Sequence, residues 1–161
     1  MERADTLVQV ANVNAIGAFT PLLDSFPILR EVDTRHWDFI LTIAGVFMAA
    51  TRLRNLRLGE HREQTLMRKV AGRLNQWDTA NGIRSFEHCK SFFERTLDGV
   101  AQAAVNDQKH FAASDTIGAW IVWDVLDRPP ESEEERGLVR AVGVLVTHAF
   151  FDWWDEKSER R

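Results

Sequence analysis

The sequence predicts an all-α fold, a compact bundle of about six helices in a single domain spanning residues 1–161. Three observations carry that prediction. In "VDTRHWDFILTIAGVFMAATRLRNL", Trp37, Ile40, Leu41, Ala44, Phe47 and Met48 recur at three- and four-residue steps, the period of one helix face. Start and stop signals divide the rest: "SEEE" (Ser132 to Glu135) matches a capping box, and the "DRPP" before it blocks a continuing helix. No stretch reads convincingly as a β-hairpin.

The first helix is expected over "ADTLVQVANVNAIGAF", with Asp5 or Thr6 as its N-cap. Val8, Val10, Asn12 and Asn14 also alternate, so the segment has some strand character. Pro21 and Pro27 are expected to bracket a connector. The second helix follows and Gly59 is expected to end it. "HREQTLMRKVAGRLNQW" sets Leu66, Val70 and Leu74 on one face, and "TANG" makes a turn. "SFEHCKSFFERTLDGVAQAAV" places Phe86, Cys89, Phe93 and Leu97 on one stripe, ending at a break over "NDQ". "HFAASDTIGAWIVWDVL" is the fifth helix. The sixth, "RGLVRAVGVLVTHAFFDWWDEK", is apolar nearly all round as far as residue 147, which marks a central helix. The tail "SERR" is expected to fray.

A chain of 161 residues is long enough to bury one substantial core. Its single cysteine, Cys89, excludes an internal disulfide and a cysteine-rich zinc site, and fits a reducing, cytoplasmic setting. The start carries acids and lacks a basic n-region, so no signal peptide is expected. The strongly apolar run Phe39–Ala50 is shorter than the roughly 20 residues a bilayer requires, so no membrane span is expected.

The halves echo each other, suggesting a duplication of three helices each (1–80 and 84–157). "DTRHWDFILTIAG" resembles "DQKHFAASDTIGA", with Asp33 against Asp107 and His36 against His110. Gly45, Gly72, Gly118 and Gly143 each fall in mid-helix, where close helix crossings would offset the cost of glycine, up to about 1 kcal/mol.

No established catalytic motif is present, and the sequence requires no cofactor. The D-x-x-H pairs Asp33–His36 and Asp107–His110 put a carboxylate and an imidazole on one helix face. Converged across a pseudo-twofold, they would suit a divalent metal such as zinc, iron or manganese. Alternatively, both aspartates simply cap helices. In "HAFFDWWD", continued helix would gather His148, Asp152 and Asp155 on one side as a polar site, with Asp152 orienting the imidazole. Cys89 reads as a buried, inert thiol, and His88 points away from it.

Residues 52–73 carry a local charge of +5 in a chain of net −4. Arg54 and Arg57 belong to this patch, which suits an acidic protein surface; with no interleaved aromatics and an acidic chain, nucleic acid is not expected. Trp153 and Trp154 occupy neighbouring wheel positions, so they are expected at an interface, where tryptophan anchors contacts. Together these features predict a helical module acting through protein association, as a homodimer or with a protein partner. A metal-dependent enzyme built on His36 and His110 is the alternative, and a sensor of an apolar ligand the third expectation.

Overall fold

A computed structural model describes residues 2–107 and 113–155, and only the backbone of residues 97–107. The described chain is an all-α bundle of six helices: α1 (Glu2–Ser25), α2 (Thr34–Asn55), α3 (Glu60–Trp77), α4 (Gly82–Asp107), α5 (Ala113–Leu126) and α6 (Glu133–Phe150). A short 3-10 helix, Pro27–Glu31, links α1 to α2.

α1 runs straight through Pro21, which was expected to stop it. Proline lacks the N–H that would bond to the carbonyl four residues back, and its ring crowds that carbonyl. Here that residue is Gly17. A side chain added at Gly17 would meet nothing within 4 Å, and both Gly17 and Pro21 are exposed. The freed carbonyl therefore faces water. The opposite face of α1 buries Ala4, Leu7, Val8, Ala11, Ala15 and Ala18 against α2 and α3.

α2 is the central helix. Every residue from Ile40 to Ala50 is buried, and α2 packs on each of the other five helices. That role was expected of α6, whose Arg140, Val144 and His148 are instead exposed. Asp33 caps α2, its carboxylate accepting from the backbone N–H of Arg35 (2.8 Å) and His36 (3.4 Å). The helix ends at Asn55, before Gly59. Gly59 instead precedes α3, at φ +91°, in the left-handed region open to glycine. Inside the bundle Thr42 donates to the carbonyl of Asp38 (2.6 Å) and accepts from the Asn12 amide (3.2 Å), tying α1 to α2.

α5 and α6 make the closest crossing. A Cβ on Gly118 would collide with the carbonyl oxygen of Val139, and one on Gly143 with that of Ser114. The other two mid-helix glycines behave differently. Gly45 receives the Phe150 ring, and Gly72 faces open space. The two halves therefore do not share one crossing geometry.

Glu135 fastens the turn that launches α6. It is buried. Its carboxylate accepts from the backbone N–H of Glu131 (2.7 Å) and Ser132 (3.1 Å) and from Arg128 Nη1 (3.0 Å) and Nη2. Ser132 accepts in return from the Glu135 N–H, completing the expected capping box. The arginine and the backbone donors hold the Glu135 carboxyl at about 2, well below its ordinary value.

Candidate functional site

α6 ends at Phe150, seven residues before the helix expected to reach Lys157. Residues 151–154 form a turn, with Trp153 N–H bonded to the Phe150 carbonyl and Asp155 N–H to that of Asp152. The turn swings Trp154 inward, leaving it 5% exposed, and its indole N–H donates to the Ala49 carbonyl of α2 (2.6 Å). Trp154, expected at an interface, is thus a core residue. Trp153 is half-buried against Arg3, exchanging hydrogen bonds with its backbone and side chain. The tryptophan that stands exposed is Trp123, at 46%.

With the helix ended, His148 and Asp152 no longer share a helical face. Asp152 pairs instead with Arg52 (3.7 Å), whose guanidinium also lies over the Phe151 ring. His148 is exposed, with no hydrogen bond or ion pair among the described residues.

The proposed metal set does not assemble among the described residues. Asp33 is engaged in capping α2. His110 and the Asp107 side chain lie outside them, and no group of three or more metal-ligating side chains occurs within them. Part of the basic segment is paired: Arg52 with Asp152 (3.7 Å), Arg54 with Glu94 (4.0 Å), and Lys69 and Arg73 both with Asp5 of α1 (3.7 and 3.4 Å). Arg57 lies in the turn after α2, at φ 52°.

His36 instead meets a cluster that only the tertiary fold brings together. Its Nε2 lies 3.0 Å from the Asp124 carbonyl near the end of α5. A carbonyl only accepts, so His36 carries a proton on Nε2. His88 of α4 faces the same region. Its Nδ1 accepts from the indole N–H of buried Trp120 (3.1 Å) and stands 3.9 Å from Asp124 Oδ2. Burial pushes the Asp124 carboxyl above its ordinary value, His88 and His36 oppose that rise, and Asp127 adds to it. Beneath, Cys89 is fully buried, and burial with the nearby Asp124 charge pushes its thiol well up, consistent with an inert cysteine.

Trp120 and Asp124 are four residues apart on α5, so their shared face was legible. His88 belongs to another helix, and no spacing connects it to them. The recess beside His88 is lined by Glu87, His88, Ser91, Glu94 and Arg95, all from α4. Groups from a single helix face do not converge around a bound substrate, as an active site requires. What the cluster does is tie α5 to α2 and α4, through the His36–Asp124 and Trp120–His88 hydrogen bonds.

The more unusual surface is the outward face of α1. Val13 is 64% exposed, Ile16 54% and Val10 40%. From Thr6 to Leu23 the helix carries no Asp, Glu, Lys or Arg. Among the described residues, α1 is the one helix long and apolar enough to cross a membrane by length and composition, although it also contributes to the core. No family model matches the chain, and neither curated proteins nor solved structures yield a match.

Proposed function

We propose that this protein is a helical association module that works as a homodimer, joined through the outward face of α1. The exposed, uncharged run of Val10, Val13 and Ile16 carries the proposal. Single exposed apolar residues are ordinary, but three within two turns of a charge-free helix make a patch of the kind that marks contact surfaces.

The spacing supports a helix as the thing contacted. Thr6, Val10, Val13, Gly17 and Thr20 recur at alternating four- and three-residue steps, the seam spacing of paired helices. These residues are small, which lets two backbones come close. A second copy is the occupant this face suits best, because the face has no charge with which to select a charged partner. Crossed antiparallel about a twofold near Val13, the helices would set Val10 against Gly17 of the partner subunit. An inclined crossing would keep the acidic ends, Glu2 and Asp24, apart. One helix face is smaller than the roughly 800 Å² per partner of a standard interface, so a micromolar dimer is expected.

A bilayer suits α1 less well. Withdrawing the helix would strip its alanine and leucine face from the core and break the Asp5 pairs to α3. Gln9, Asn12 and Asn14 would also carry their amides into hydrocarbon.

Cysteine cross-linking tests the arrangement. The native Cys89 is buried, so Val13→Cys supplies the one accessible thiol. Mild oxidation of Val13→Cys should trap a disulfide-linked dimer, because residues on a twofold axis come within bridging distance. A thiol at exposed Arg140 of α6 should not cross-link. Equal cross-linking at both positions would count against the α1 seam.

A further inference from the structure

Asp78 and Gly82 join α3 to α4 in a tight turn. Asn81 N–H bonds to the Asp78 carboxylate (2.8 Å) and Gly82 N–H to the Asp78 carbonyl (2.9 Å). A Cβ on Gly82 would come within 2.5 Å of the Leu74 carbonyl oxygen, so glycine permits the approach. Beyond the turn a mostly apolar cavity of about 370 Å³ opens between the two helices, its apolar wall made by Met67, Val70, Ala71, Leu74, Ile83 and Phe86, with Gln64 and the oppositely charged Arg68 and Glu87 also lining it. A second, of about 160 Å³, lies where Phe47 and Ala50 of α2 form the floor. Met67 and Phe86 line both. Met67 is only partly buried, and an unbranched thioether adapts readily to its neighbours, so a rotamer change there would open one space to the other. The larger alone falls within the roughly 300–1,000 Å³ range of small-molecule sites.

The charges around the smaller cavity are unequal. Arg54, Lys90 and Glu94 line it, two cations against one acid. Arg54 and Glu94 pair loosely, at 4.0 Å with both side chains about half exposed. Lys90 makes no ion pair among the described residues and is partly buried, its stem along apolar walls. An open, mostly apolar cleft with one more cation than acid at the Lys90 end suits a chain with a carboxylate head.

We propose that the α3–α4 cleft binds a straight-chain aliphatic carboxylate, with the alkyl chain between Met67 and Phe86 and the carboxylate at Lys90. A neutral alcohol leaves Lys90 unmatched, and a quaternary ammonium is repelled. The site is separate from the α1 face, so either proposal can fail alone.

Calorimetric titration with octanoate, decanoate and dodecanoate, each below its micelle concentration, tests it. Saturable one-to-one binding is expected, tightening by about three- to fourfold per methylene until the cleft is full. Ala71→Phe fills the cavity and should abolish binding. Lys90→Glu reverses the charge at the head-group end and should weaken dodecanoate at least about tenfold while dodecanol still binds. Three results would each overturn the proposal: no saturation, binding of dodecyltrimethylammonium as tight as dodecanoate, or dodecanoate affinity unchanged in Lys90→Glu. Acids that merely coat α1 would bind Ala71→Phe as well as the native chain, which would overturn it too.

Discussion

The indole N–H of Trp154 donates to the carbonyl of Ala49, 105 residues away, and so closes the C-terminal turn onto the central helix. Trp154→Ala should cost about 3–5 kcal/mol, the range for emptying a buried aromatic site. Trp154→Phe keeps most of the volume and loses the hydrogen bond, so it should cost about 1 kcal/mol. Urea denaturation separates the two. Near-equal, small losses would mean that Trp154 does not hold the turn.

The α5–α6 crossing makes a contrast among glycines. Gly118→Ala and Gly143→Ala each drive a methyl group into a backbone carbonyl that cannot move independently of its helix. Each should cost about 1–3 kcal/mol or more. Gly72→Ala enters open space and should stabilise by up to about 1 kcal/mol. Melting temperatures should therefore move in opposite directions.

Glu135 should dominate part of the acid limb of stability. Its carboxyl ionises near 2 in the folded chain against an ordinary 4.5. A depressed folded value means that its contribution is fully present above about pH 4.5 and is lost as pH falls towards 2. Glu135→Gln should be less stable than the native chain at pH 7 by about 1–3 kcal/mol. The gap should narrow steadily between pH 4.5 and 2. A gap independent of pH would assign the effect to shape rather than charge.

Asp124 should behave in the opposite sense. Its folded value lies above the ordinary 3.8, so the folded state holds the proton more tightly than the unfolded chain. Ionised Asp124 then costs stability at neutral pH, and the cost fades as pH falls through the folded value. Asp124→Asn should melt at or above the native temperature at pH 7, with the difference vanishing as pH falls below the ordinary 3.8. A lower melting temperature at pH 7 would show that the approach of His88 outweighs burial.

Much of the architecture was legible because local signals agreed with the global packing. Apolar spacing marked α2 and α3, the Ser132–Glu135 box marked the start of α6, and the paired prolines marked the end of α5. Among the boundaries that escaped, two did so for reasons that spacing cannot supply. Pro21 stays helical because Gly17 lies one turn below it on a solvent-facing side. α6 stops at Phe150 because the core offers Trp154 a better place inside. Both facts depend on which side of a helix faces the bundle. The candidate sites escaped for the same reason. Asp33 read correctly as a cap, but His88, Trp120 and Asp124 meet across α4 and α5, and Arg52 takes the carboxylate once assigned to His148. The α1 stripe was present in the sequence, yet its alanine face and its valine face look alike until one is seen buried and the other exposed.

Sedimentation equilibrium of the native chain and of Val13→Lys, across about 1–100 µM, tests the central claim most directly. Val13 is exposed in the monomer, so the lysine should leave the monomer's fold intact and its melting temperature unchanged at the dilute end of the range, where neither chain is dimeric. The native chain should pass from monomer to dimer across that range, and Val13→Lys should remain monomeric throughout. A native chain that stays monomeric at 100 µM, or a Val13→Lys chain that dimerises as the native one does, would contradict the account.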